Sequence, residues 1–479
     1  MFLGIKYFRD NYLVWNVKIN LLITGIVCVM VILYGILVYQ IYDNSKLINW
    51  IVLLTMLLVF VIIAVSWIKL VPTKQVSDFK QFWNRSNAVI NGHQLFYSEN
   101  SYFAKYAYQT GFLLYMLSVV KIFGSNLFVM QLLNVLVQTL ILLMTYLLTI
   151  NVFNNVKLAR LSVLLLMVDL DWFALNSQAD NQYLGALFYL ITFYLLQKKK
   201  TWSYLLAGLT LSIGWLVRPI GPAIFIGVMI YILLFDIEYR PQKTIHEITK
   251  KVIFPSVICF STLFMAGQMI QVTGLNPHGL KNMNSEWKFI AGLNYESSGS
   301  YSAKLDKQFK SAPTRIEMKK QEREVLKQEL VSLKQGHNWL KLIIAKVSML
   351  WSGRTMTTNF AGFGKNHSQN SDYIVGLVGY LGSFLLIIFS WIGSLKMLKE
   401  RYSSKIFMML LPLLVFAAIE LIIEVQGRYR IEFLPIISMV AGLGMYSSLS
   451  FLYSFVMSRI TLLRNKKRPD MFPHPIQKI

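Results

Sequence analysis

The chain has 479 residues, of which 55% are hydrophobic and only 15% charged, with a formal net charge of +24. A soluble domain carries about a quarter charged residues, so this composition excludes one and indicates a polytopic membrane protein. The basic residues sit in short segments between apolar runs and form no single patch, which argues against nucleic acid and leaves membrane lipid or a phosphate-bearing substrate as the anionic partner.

Residues 1–19 are polar and aromatic, and the apolar run behind them is too long for a signal-peptide core, so no cleaved leader is expected. Apolar runs near 20–41 and 48–70 predict the first two spans. A polar stretch then opens a first outer loop, 71–125. Within it, "GFLLYMLSVVKIFG" is apolar but covers only about 20 Å of a roughly 30 Å hydrocarbon core, which predicts either a helix in the membrane surface or the start of the next span with a break at Gly124-Ser125. Spans follow near 126–151, 158–175, 181–197, 201–217, 219–235 and 252–272, and again near 373–397, 405–424 and 432–457. The expected fold is therefore all-α, with roughly eleven transmembrane helices.

Between the two groups of spans, 273–337 is hydrophilic, with Glu and Lys interleaved at three- and four-residue spacing. That pattern predicts a solvated helix laced with ion pairs. Residues 338–352, with Lys341 and Lys346, suit a surface helix. The chain thus divides into an N-terminal segment with the first span (1–47), a catalytic membrane module (48–272), an outer loop region with an interfacial helix (273–372), C-terminal spans (373–458) and a basic cytoplasmic tail (459–479). Loops rich in Lys and Arg at 197–200, 238–243, 250–251, 396–405 and 464–469 alternate with acidic ones such as 169–180, which places 71–125 and 273–372 outside. An odd span count puts the N-terminus outside too, although Lys6, Arg9 and Lys18 argue for the inside.

Phosphate-loop, zinc-protease, Cys-x-x-Cys and Gly-x-Ser-x-Gly signatures are absent, and the six histidines lack metal-ligand spacing. Cys28 and Cys259 both lie in apolar runs. Chemistry is therefore expected from polar residues at the outer membrane face. Asp78, in "KLVPTKQVSDFKQFW", is a carboxylate at a span edge and the candidate general base. Lys105, at headgroup height, either snorkels or holds a lipid phosphate. Arg218, in "GWLVRPIGP", ends a span, where a guanidinium calls for a partner such as phosphate. Arg428 and Tyr429, in "EVQGRYRIEFLP", face the same side. Glu424 lies four residues before Arg428 and would pair with it on a helix. Asp171, Asp180 and Asn181 form either a second acidic site for sugar hydroxyls or a plain acidic turn, and Glu99 is a weaker candidate of that kind.

Taken together, "VSDFKQFW", "YFAKYAYQTGFLLYMLSVVKIFGSNLFVMQLLNVL", "LAGLTLSIGWLVRPIGP" and "EVQGRYRIEFLPII" resemble the GT-C superfamily of membrane glycosyltransferases, in the branch of protein O-mannosyltransferases and aminoarabinose transferases. The resemblance covers most of 48–458. It implies a GT-C-like bundle, a polyprenyl-phosphate sugar donor and transfer with inversion outside the plasma membrane, to a cell-envelope glycan, lipid or protein. It assigns Asp78 as base or acceptor binder and Lys105 as the lysine that contacts the lipid phosphate. Mannosyltransferases commonly show an Asp-Glu pair where this chain has Asp78-Phe79, which argues against protein mannosylation. No cofactor is required by these residues. Relatives leave room for a divalent metal, but one clear acid makes a poor Mg²⁺ site. The competing readings are a transporter or flippase of a lipid-linked saccharide, and a polysaccharide polymerase or ligase. A transporter calls for mid-span charge, and this chain's polar candidates gather on one face.

Overall fold

The computed structural model describes residues 1–99, 101–236, 244–281, 286–310, 314–400 and 402–466. The basic stretch 238–243 and the tail beyond 466 lie outside the described residues. Every described element is helical.

Eleven segments run between two ends of the bundle, and the end that carries Asp78 is the reference here. A short helix, α1 (Phe2–Tyr12), lies at that end, where the Tyr380 hydroxyl donates to the carbonyls of Gly4 (2.8 Å) and Ser352 (3.2 Å). Next, α2 (Val17–Gln40) crosses to the far end, where the Arg160 guanidinium holds the Ile41 carbonyl at 3.0 Å. The chain returns through α3 (Lys46–Leu70) to the short helices α4 (Ser77–Ile90), α5 (Tyr102–Lys105) and α6 (Thr110–Phe123). Gly124, at φ +72°, separates α6 from α7 (Leu127–Phe153), whose N-terminus is capped by Asn126.

The second pair of crossings is α7 and α8 (Val156–Met167), which ends early and continues through one turn, α9 (Leu170–Phe173), and an irregular stretch to residue 181. Four more segments then alternate: α10 (Gln182–Gln197), α11 (Thr201–Val217), α12 (Gly221–Tyr231) with its extension to Asp236, and α13 (Thr244–Val272). At the Asp78 end sits a helical layer of α14 (Trp287–Leu293), α15 (Ala303–Lys310), α16 (Arg315–Gln335), α17 (Trp339–Trp351) and α18 (Thr357–Ala361). Finally α19 (Gln369–Lys399), α20 (Phe407–Glu420) and α21 (Leu434–Lys466) cross. Among the described residues, six helices are long and apolar enough to cross a membrane alone. The chain is a membrane-embedded, multi-pass protein.

Small residues let the longest helices meet closely. A Cβ on Gly444 of α21 would lie 1.9 Å from the Phe389 carbonyl oxygen of α19, so only glycine permits this seam.

Three sequence expectations change, and one conflict, the side on which the N-terminus lies, is resolved. The span predicted over 158–175 breaks after Met167. Its freed carbonyls are taken up by an amide ladder on α7: Gln131 donates to Ser177 O (3.0 Å), Asn134 to Asn176 O (3.0 Å) and Gln178 O (2.7 Å), and Gln138 to Phe173 O (3.2 Å). Irregular backbone at membrane depth survives only when buried protein groups satisfy it in this way. The N-terminus lies at the Asp78 end despite Lys6, Arg9 and Lys18, because α1 is tied to α17 and α19. Residues 424–426 are extended and 427–433 form a 3₁₀ turn, so Glu424 and Arg428 do not meet as a helical pair. The solvated helix expected in 273–337 is also less solvated than its charges suggest. Met318 of α16 packs with Trp287, Ile290, Leu305 and Phe309, and Glu322 is fully buried.

Candidate active site

Four stretches far apart in sequence converge at the Asp78 end. Asp78 stands in the first turn of α4, Arg218 at the C-cap of α11, Lys288 on α14, and Glu424 to Glu432 on the segment between α20 and α21. They assemble into three ion pairs. Arg428 Nη2 donates to Asp78 Oδ2 at 3.0 Å, Lys288 Nζ to Glu424 Oε2 at 2.8 Å, and Arg218 Nε to Glu432 Oε1. Tyr429 sits at their centre: its ring lies 5.2 Å from the Arg218 guanidinium, 5.4 Å from the Lys288 ammonium and 5.9 Å from the Arg428 guanidinium. Lys288 Nζ also donates to the Tyr429 hydroxyl at 3.2 Å. One phenol thus faces three cations, an arrangement that aromatic quadrupoles favour.

The carboxylates differ in access. The Asp78 side chain is 38% exposed, whereas those of Glu424 and Glu432 are 3% and 1% exposed. Burial would raise Glu424, but the Lys288 ammonium and the Gln426 amide (2.7 Å) outweigh it and hold the acid below the usual range. Burial likewise pulls Lys288 down, and Glu424 and Tyr429 more than offset it, so the ammonium stays charged. Asp78 is thus the one of the three paired acids that opens to the exterior of the protein. Arg428 orients it and is itself clamped between the Phe79 and Phe360 rings at 5.0 and 4.9 Å, with Nε on Gln426 Oε1 at 2.8 Å.

Asp180 lies beneath this ring, between the broken segment and α10. It is buried, and among the described residues neither carboxylate oxygen has a side-chain partner, with only a weak approach from the Gln182 amide. Burial first, and then the Glu432 charge, push its carboxyl up to about 7. An orphaned buried carboxylate costs stability and marks a place where a ligand's hydroxyls or a proton can be received. Asn181 instead ties α10 to α11 through the Val217 carbonyl at 3.1 Å.

The structure therefore brings together Asp78, Asp180, Arg218, Arg428 and Tyr429. It places two other candidates elsewhere. Lys105 is buried and bears on Glu322 of α16. Glu99 is half exposed and faces His278 Nε2 at 3.2 Å, in a separate cleft bounded by residues 89–99 and 273–277. Asp171 is occupied structurally: it accepts from the Thr355 amide (3.2 Å) and the Thr357 hydroxyl (3.1 Å).

Lys288 is the member of this ring that the sequence reading did not single out. Its only local signal is a lone lysine inside the apolar "WKFIAGL" of an otherwise charged segment. Among the described residues no cluster of three His, Cys, Asp or Glu side chains could hold a metal ion, and three of the four acids here already carry a cation. The donor set does not fit a metal.

No protein-family model matches the chain, and no curated protein matches it in sequence. Solved structures do resemble its overall course. The archaeal oligosaccharyltransferase AglB from Archaeoglobus fulgidus, in complex with an inhibitory peptide and a dolichol-phosphate, aligns at a TM-score of 0.46 and 12% identity over 89% of this chain and 52% of that one. The apo form of the Archaeoglobus fulgidus oligosaccharyltransferase aligns at 0.43 and 13% identity, over 88% and 53%. This chain therefore spans about half the length of those proteins. ArnT from Cupriavidus metallidurans, bound to undecaprenyl phosphate, aligns at 0.38 and 13% identity over 81% of this chain and 75% of that one.

Proposed function

We propose that this chain is an inverting membrane glycosyltransferase that takes a sugar from a polyprenyl-phosphate carrier and passes it to a cell-envelope acceptor. The observation that carries the reading is the ring of three ion pairs around Tyr429, with Asp78 as its one accessible carboxylate. Asp78 accepts the proton of the acceptor hydroxyl as that oxygen bonds to the sugar's anomeric carbon. On the opposite face the bond from that carbon to the phosphate oxygen breaks, and the lipid phosphate leaves with the electron pair. Lys288 and Arg218 stabilise the departing charge. Such fixed cations act strongly because they need no reorganisation as charge develops. Lys288 is the most open of the three cations, with its side chain 31% exposed. Asp180 supplies acceptor lone pairs for the sugar's hydroxyls.

Sidedness follows from charge. The end opposite Asp78 carries Lys157, Arg160, Lys198, Lys199, Lys200, Lys250, Lys396 and Lys405, which supports a cytoplasmic assignment there and an extracytoplasmic site in the plasma membrane. The test is rescue of a deletion strain with wild type or Asp78→Asn, followed by mass spectrometry of envelope glycans. Loss of one sugar decoration that only wild type restores is the expected result. Full rescue by Asp78→Asn would move the base elsewhere and favour a lipid-linked-saccharide transporter.

A further inference from the structure

Beside the ring lies a loop whose composition is that of a recognition surface: residues 294–302 read "NYESSGSYS". Tyrosine gives rigid amphipathic contact area at low entropic cost, and Ser, Gly and Asn supply adaptable hydrogen bonds. Such a loop binds well only if it is already ordered, and this one is. Asn294 Nδ2 donates to Glu329 Oε1 at 2.7 Å, and the Ser297 amide to Asn294 Oδ1 at 2.7 Å. The Ser297 and Ser300 hydroxyls donate to each other's carbonyls at 2.8 and 2.6 Å.

The tip is locked as well. Ser298 and Gly299 both have positive φ, 55° and 75°. A Cβ on Gly299 would fall 2.7 Å from Lys346 Cδ, so the position excludes any larger residue. Lys346 in turn donates to the carbonyls of Gly292, Leu421 and Ile423 at 2.8, 2.9 and 2.7 Å. That triple anchor joins the loop's base to the segment that carries Glu424. The Val425 amide then closes on the Gly299 carbonyl at 2.9 Å.

The loop leaves open two aromatic rings, beside Glu296, whose carboxylate pairs with Lys304 at 3.5 Å. Tyr301 is 50% exposed and Tyr295 38%. Tyr301 is steadied by the Trp287 ring at 6.3 Å and donates its hydroxyl to Asp306 Oδ2 at 3.0 Å. Trp287 directly precedes Lys288 of the ion-pair ring, and the loop is tied to the segment that carries Glu424, so Tyr301 stands at the margin of the site. A half-open ring beside a carboxylate suits a sugar, whose C–H face stacks on the ring while its hydroxyls donate to the acid. A peptide acceptor would seek main-chain partners, but the carbonyls of Ser297, Gly299 and Ser300 are already engaged.

We infer that Tyr301 and Asp306 form a saccharide-binding subsite for the acceptor, so that the molecule glycosylated is itself a carbohydrate. The inference rests on the reading of Asp78 as the group that receives the acceptor's proton. The full chain in lipid nanodiscs is titrated with a panel of neutral hexose disaccharides and of Ser/Thr-containing peptides, followed by saturation-transfer NMR. A polyprenyl phosphate is titrated in parallel. At least one disaccharide binds wild type, Tyr301→Ala weakens it about ten-fold, and Tyr301→Phe retains most of the affinity. Polyprenyl phosphate binds all three proteins alike. Binding of peptides only, of no disaccharide, or of disaccharides with unchanged affinity to Tyr301→Ala overturns the subsite while leaving the donor reading in place. Saccharide binding through Tyr301 without any polyprenyl-phosphate binding upholds the subsite and removes the donor reading.

Discussion

Two buried polar regions at the Asp78 end look alike in composition and behave differently. Around Asp171, the acid takes the Thr355 amide and the Thr357 hydroxyl, and Arg430 spends its terminal nitrogens on the carbonyls of Leu350 (3.1 Å) and Gly353 (2.9 Å). That region pairs its acid and the terminal nitrogens of Arg430 internally, leaving only the buried Arg430 Nε of that guanidinium unpartnered among the described residues, and fastens the broken segment after α8 to the outer helical layer. Around Tyr429, by contrast, one carboxylate opens outward, the Lys288 cation is partly exposed, and among the described residues Asp180 has no side-chain partner. Satisfied polar groups specify structure, and unsatisfied or open ones await a ligand. The acids of the two regions differ only in what surrounds them.

The contrast is sharpest for Asp78 against Asp171. Asp78→Asn is expected to cut transfer by about a hundred-fold or more with little change in thermal stability, since it removes a base and keeps the volume. Asp171→Ala should act the other way, costing about 2 kcal/mol by leaving the buried Thr355 amide unpaired, while the Thr357 hydroxyl keeps the main-chain carbonyl of that residue at 2.7 Å. Equal destabilisation by the two substitutions, in thermal unfolding of the purified protein, would erase the distinction.

Next in size is Lys288. Lys288→Met should reduce use of the lipid-linked donor about ten-fold or more, and also lower stability by stranding Glu424. The double variant Lys288→Met/Glu424→Gln should recover the stability and not the donor use. Recovery of both would make the pair structural, like Asp171 with its partners.

The smallest effect concerns Asp180 and carries a pH signature. Its folded carboxyl is raised to about 7 from an ordinary value of 3.8. The unfolded chain therefore ionises first as pH rises, and wild type loses stability across roughly pH 4 to 7. Asp180→Asn removes that loss. Its melting temperature should exceed that of wild type by a few degrees at pH 8 and match it near pH 4. A constant difference at both values would mean that the acid is paired in the folded protein.

Several of these distinctions were out of reach of the one-dimensional pattern. Asp78, Arg218, Arg428 and Tyr429 stood out because each is polar at the edge of an apolar run, and that signal is local. The pairing of Glu424 went instead to Lys288, 136 residues away, because the 424–433 stretch is not an α-helix. The break after Met167 was hidden because the apolar run reads on through Leu170, Trp172, Phe173, Ala174 and Leu175 despite Asp169 and Asp171. Its sign was the Gln131, Asn134, Gln138 ladder, spaced three and four along an otherwise apolar helix, which reads as a polar stripe awaiting backbone partners.

Composition and apolar run length determine by themselves that this chain lives in a membrane, crosses it many times and collects its polar candidates on one face. The hydrophobic cost of exposing such runs permits little else. Only the tertiary structure decides which acid is open, which is spent and which is orphaned. Asp78 meets Arg428 across 350 residues and Arg218 meets Glu432 across 214. Ion pairing and burial depend on neighbours in space, and no local periodicity encodes them.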